Sequence, residues 1–88
     1  MNTNDDAVIA KMVNPGTNTV GNVATYSFPA GMGVGKKGTI NLSSDPNKDF
    51  SQDEDVSLWD DEDNTIAEAT ITQVKNKRQY IVQIRLME

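Results

Sequence analysis

The sequence predicts an all-β domain, a small single-domain antiparallel β-barrel or sandwich of five to six strands with a Gly-rich loop. Three observations carry this. Apolar and polar residues alternate at a period of two in several segments, most clearly in QYIVQIRLM at 79–87. Clusters of Pro, Gly, Asn and Asp separate these segments at short spacing. No long segment sustains apolar residues at helical spacing. The 88 residues form one domain with no internal repeat and no linker.

The elements follow in order. Residues 1–6 read as a flexible N-terminal arm. Residues 7–13 (AVIAKMV) are apolar and rich in β-branched side chains, which favours a strand over a short capped helix. Asn14-Pro15-Gly16 is a turn, with Pro presetting φ at one corner and Gly permitting positive φ at the next. Residues 20–28 alternate, placing Val20, Ala24, Tyr26 and Phe28 on one face. Pro29 ends that strand, and 29–38 is the Gly-rich loop. Extended pattern resumes over 37–42, with Ile40 and Leu42 inward. A polar loop at 43–55 carries Phe50 as its one large apolar residue, expected to pin the loop to the core. A strand over 54–59 has Val56 and Leu58 inward and Trp59 on the opposite face. Asp60 to Asn64 is a charged hairpin tip, followed by an imperfectly alternating strand over 65–74 and a turn at 75–77. The last strand, 79–87, puts Tyr80, Val82, Ile84 and Leu86 on one face.

The formal net charge is −5. Nine acids lie between 45 and 63 against Lys48 alone, with an acidic patch at Asp53, Glu54, Asp55, Asp60, Asp61, Glu62 and Asp63. Such a balance disfavours nucleic acid and anionic membrane as partners. It suits a basic protein surface, or simply keeps a small β-protein in solution. No apolar run reaches the length of a membrane span. The polar start MNTNDD lacks the basic opening of a secretion signal, so a cytoplasmic location is the default expectation. The chain has no Cys for disulfides and no His for a structural zinc site, so its core, or a partner, must hold it together.

The string AGMGVGKKGT at 30–39 comes near a phosphate-binding loop. Ala30 and Gly35-Lys36 satisfy the spacing, but Lys37 stands where Ser or Thr would hold magnesium. A β pattern follows instead of the helix whose N-terminus attracts the anion. Gly31, Gly33, Gly35, Lys36 and Lys37 therefore read as a flexible loop that orders on a partner, with a backbone anion nest as the sharper alternative. The acids at 60–63 fail a calcium-loop template: counted from Asp61, the fifth and sixth positions are Thr65 and Ile66. No metal or other cofactor is expected. Without His or Cys, and with carboxylates in exposed loops, no catalytic residue can be nominated, and the chain reads as a non-enzyme. Tyr26, Phe28, Met32, Phe50, Trp59, Ile81 and Met87 are the interface candidates; Trp59, Ile81 and Met87 fall outside the main apolar stripes and hint at a second apolar surface.

Two resemblances bear on function. Gly35-Lys-Lys-Gly-Thr-Ile-Asn-Leu42, Asp55-Val-Ser-Leu-Trp-Asp60 and Ala67-Glu-Ala-Thr-Ile-Thr-Gln-Val74 resemble the middle of an ASCH/PUA-type barrel. Gly35 and Lys37 match that family's Gly-x-Lys-x-x-Thr-x-Arg string, while Ile40 and Leu42 stand where its Thr and Arg would be. This implies a nucleic-acid-binding module, as an OB-like reading also would. The strand ending Tyr26-Ser-Phe-Pro-Ala-Gly31, the Gly-rich arm and the acidic Cys-free composition resemble accessory virion proteins of tailed phages, which decorate capsids or join head to tail. That implies a non-catalytic structural protein located in the virion and assembled in the host cytoplasm. It would act on protein partners as a homo-oligomer or on a larger shell, through oligomeric or strand-edge contacts. A third reading is an acidic inhibitor that mimics nucleic acid with residues 45–63.

Overall fold

Every alternating segment becomes a strand in the computed structural model, which describes residues 8–88. The expected arm at 1–6 lies outside the described residues. The strands are β1 (Lys11–Asn14), β2 (Thr19–Ser27), β3 (Lys37–Leu42), β4 (Asp55–Trp59), β5 (Thr65–Asn76) and β6 (Gln79–Met87). All pairings are antiparallel, and they close in the order β1-β2-β3-β6-β5-β4. Four of the five connections are hairpins. The fifth, 43–54, carries the chain from β3 past β6 and β5 to β4.

This connectivity gives the barrel two unlike ends. One end carries the glycine loop 28–36, the acidic hairpin 60–64, the entry at Val8 and the exit at Glu88; we call it the loop end. The other carries the turn 15–18, the turn at Lys77 and Arg78, and the long connection 43–54.

The interior is a single cluster that includes Met12, Ile40, Leu58, Ile71, Val82 and Ile84. Phe50 leaves the loop and plugs the end opposite the glycines. It is 4% exposed and meets Tyr80 edge-on, with ring centroids 5.5 Å apart. Burying one such side chain contributes about 1.5–3 kcal/mol. Phe50 is thus core and not contact surface.

Period-two counting fails where the ladder carries an extra residue, because each insertion reverses which face the following side chains take. In β2 the extra residue is Ala24, between the pairs Val23↔Leu42 and Thr25↔Asn41. Val20 therefore faces outward opposite Val13, while Thr19, Gly21 and Val23 face in before the bulge and Tyr26 after it. In β6 the extra residue is Arg85. Leu86 pairs with Glu68 on the outer face and is 52% exposed, so it leaves the stripe of Tyr80, Val82 and Ile84. Met87 pairs with Ala67, which is buried, so Met87 and the outward Ile81 do not share a face. Irregularities at Ile66, Thr72 and Lys75 account for the imperfect alternation of β5.

The long connection is tied to β2 by Asn47. Its Oδ1 accepts from Val20 N at 2.7 Å and its Nδ2 donates to Asn18 O at 2.7 Å. Its own N–H donates to Val20 O at 3.4 Å. One residue thereby imitates a short added strand, and Lys48 Nζ donates to Thr17 O at 2.6 Å beside it. Asn47→Ala is expected to lower stability by about 1–2 kcal/mol, read from the urea midpoint at unchanged slope. A loss below a few tenths would show that water replaces these bonds without cost.

Candidate functional site

The glycines build the loop end. Gly31 (φ +87°) and Gly35 (φ +85°) take left-handed conformations that favour glycine. Gly31 N donates to Phe28 O at 2.8 Å, and Lys36 N donates to Gly33 O at 2.9 Å, so the loop is a pair of turns. Its second turn extends the β3–β6 ladder: Gly35 N donates to Ile84 O at 2.8 Å and Ile84 N to Lys36 O at 2.9 Å. Gln83 Nε2 adds a bond to Gly35 O at 3.0 Å. The first turn rests on Phe28, whose ring covers Gly38 and stands edge-on to Tyr26 with centroids 6.4 Å apart. Tyr26, Phe28 and Met32 pack on the core from this side.

These bonds bear on the phosphate reading. The amides of Gly31, Gly35 and Lys36 are already spent inside the chain, and the loop opens a strand. A backbone nest for an anion would need those N–H groups free.

Across the barrel mouth stands the acidic hairpin. Asp60 Oδ1 accepts from Glu62 N at 2.9 Å and from Asn64 N at 2.8 Å, closing the tip. The Asn64 backbone bond, chiefly, holds the Asp60 carboxyl below its ordinary pKa, with Glu62 N adding to it. The sign follows: a depressed folded value supports the hairpin at neutral pH and is lost as pH falls through it. The Glu62 and Asn64 amide resonances should titrate together at a pH below the usual Asp range. A midpoint at or above that range would contradict the assignment. Lys11 pairs with Asp63 at 2.7 Å, which leaves Asp61 and Glu62 pointing to solvent. Among the described residues no group of His, Cys, Asp and Glu could hold a metal.

Exposed apolar side chains gather at the same end. Val8 is 62% exposed, Val34 65%, Leu86 52% and Met87 36%. Only Met87 was legible as a contact candidate. Leu86 escaped because the bulge at Arg85 reverses its face, and Val34 because a lone valine among glycines carries no pattern. Val8 belongs to an apolar run whose burial could not be apportioned by counting. Trp59 does take the outer face, opposite Lys11, but it is half-buried and its Nε1 is enclosed without a hydrogen-bond partner. Ile81 is half-buried among outward polar residues of β3 and β5.

The acidic segment is not one surface. Asp53 and Glu54 lie in the long connection, and Asp55 begins β4, while Asp60 to Asp63 sit at the opposite end. The cations are equally dispersed. Arg78 pairs with Asp45, Arg85 with Asp55 and Glu68, and Lys36 and Lys37 stand apart from Lys75 and Lys77 at the far end. Neither a phosphate-like acidic row nor a basic stripe for RNA assembles among the described residues.

At the plug end an open groove of about 420 Å³ is lined by Asp49, Phe50, Ser51, Val74, Asn76, Lys77 and Tyr80. The Tyr80 hydroxyl there is committed to Lys77 O, so the groove holds a structural bond and not a free acid or base. Among the described residues no helix is long and apolar enough to cross a membrane. No family model matches the chain, and no curated protein or solved structure matches it either.

Proposed function

We propose that this barrel is a non-catalytic assembly module that docks on protein partners through its loop end. The observation that carries the reading is the clustering there of Val8, Val34, Leu86 and Met87, large apolar side chains left open on a small domain. The loop bearing Val34 is braced by glycine turns and by β6, so the apolar tip is presented on a framework. Closing the ring gives every strand a partner on both sides, which favours contact through loops and end residues over pairing along a strand edge. The specific form suggested by the sequence resemblance is an accessory component of a phage particle, and the support for that form is the resemblance alone.

The test is a pair of substitutions on exposed positions, Val34→Asp with Leu86→Asp. The double variant should keep the wild-type circular dichroism and melting curve and lose cross-linking to the proteins that wild type cross-links in its own host. Undiminished cross-linking by a folded variant would remove the loop end from the function.

A further inference from the structure

The loop end is electrically two-sided. In the ring order β1-β2-β3-β6-β5-β4, strands β3 and β4 face each other across the barrel. Lys36 and Lys37 lead into β3, and Asp61 and Glu62 follow β4. Two positive charges and two negative charges thus stand on opposite walls of one end, all four exposed. Among the described residues none of the four makes an ion pair; the hairpin's Lys11 bridge goes to Asp63. Three of the exposed apolar side chains lie on the arc between them that runs through β6: Leu86 and Met87 belong to β6, and Val34 is held beside β6 by the Gly35–Ile84 bond, while Val8, ahead of β1, lies on the other arc.

The geometry points to a second copy of this chain as an occupant of the loop end. This deepens the docking reading above and rests on it. A two-fold axis lying in the contact plane, between the lysines and the hairpin, sets Lys36 and Lys37 of each copy over Asp61 and Glu62 of the other. It also brings the two apolar arcs together. A two-fold contact of this kind requires a self-complementary patch, and this end supplies one. The whole chain carries a net charge of −5, so two copies repel at long range, and an orientation that sets opposite charges against each other is favoured over one that does not. A contact that rests on exposed charge pairs and a few apolar side chains is expected to be concentration-dependent and weakened by salt.

Two full-chain variants test it. Lys36→Glu with Lys37→Glu puts added acids on both walls, and Asp61→Lys with Glu62→Lys puts lysines on both walls. Sedimentation equilibrium at low salt should show wild type moving towards twice the chain mass with concentration. Each variant alone should raise the dissociation constant by at least about tenfold through like-charge contact. An equimolar mixture should associate again, because both contacts in the mixed pair are complementary. Circular dichroism confirms that the variants fold. A wild type that stays monomeric at every concentration overturns the inference. So does a variant that self-associates as wild type does, or a mixture no tighter than its parts. If the self-contact fails while Val34→Asp with Leu86→Asp still abolishes cross-linking to other proteins, docking through the loop end stands and only the second copy is withdrawn.

Discussion

Tyr80→Ala is expected to cost about 3–5 kcal/mol, as truncation of a large buried ring does. The whole stability of a small domain is about 5–15 kcal/mol, and one of this length lies towards the low end. The variant should therefore be largely unfolded at a urea concentration that wild type tolerates. The reason is geometric. Tyr80 is 1% exposed and is the largest of the fully buried side chains. Its ring is what Phe50 packs against, so removing it opens the plug as well as the core. Tyr80→Phe separates the two contributions. It keeps the ring and deletes only the hydroxyl bond to Lys77 O, a change of about 1 kcal/mol. The hydroxyl has a pH signature too. Burial, followed by the charges of Asp49, Asp45 and Glu54, raises its pKa. The fold prefers the neutral phenol, so this contribution is intact below the ordinary Tyr value of about 10 and is lost as pH rises through the raised folded value. Alkaline destabilisation should shrink in Tyr80→Phe. Tyr80→Ala within about 1 kcal/mol of wild type would mean that the plug collapses onto the vacancy without loss.

Gly38→Ala should act at the other end. A methyl at Gly38 would lie 2.4 Å from Phe28 Cδ2, with two more atoms of that ring at 2.5 Å. Gly38 sits within β3 and its backbone accepts alanine, so the clash is with the ring alone. Overpacking of this kind costs about 1–3 kcal/mol. The ring is only partly buried, and swinging it outward would relieve the clash while freeing the first turn of the glycine loop. The expected result combines that loss with faster amide exchange at Gly31, while Gly35, still bonded to Ile84 O, stays protected. Phe28→Ala in the same chain should make Gly38→Ala nearly harmless, a coupling that additive effects would not give. Gly21→Ala is the comparison. Its methyl would meet Leu42 at 2.6 Å, so it should lower stability without loosening the loop.

These residues also show how far the sequence could be read. The bounds of β3 and β6 match the alternating segments because turn-forming residues lie directly before each of them. Phe50 was legible as a pin because it is the one large apolar residue in a polar loop. The faces of Val20 and Leu86 were not legible. Each lies across a bulge, at Ala24 and at Arg85, from the residues that define its stripe, and a bulge leaves no mark in composition. The glycine loop was visible as a loop, but its brace was not. That brace depends on β6 lying beside β3, a fact about strand order that no local pattern encodes. The same holds for the loop end: hairpin and glycine loop are far apart in the chain and share one end only through the order in which the strands pair.

Ring closure also sets a timetable for a nascent chain. Met12 pairs with Leu58 when β1 joins β4, and Ile9 and Met12 enter the same core. Ribosomes synthesise about 5–20 residues per second, so the first strand waits about 2–9 s between its own emergence and that of its second partner. Through that interval β1 can pair with β2 alone. Ile9 and Met12 lack β4 throughout it, the β1–β2 and β2–β3 hairpins must persist alone, and the ring closes only after β5 and β6 have followed. A chaperone that recognises short apolar segments would find its opening at 9–13, early and briefly, and would lose it when β4 docks.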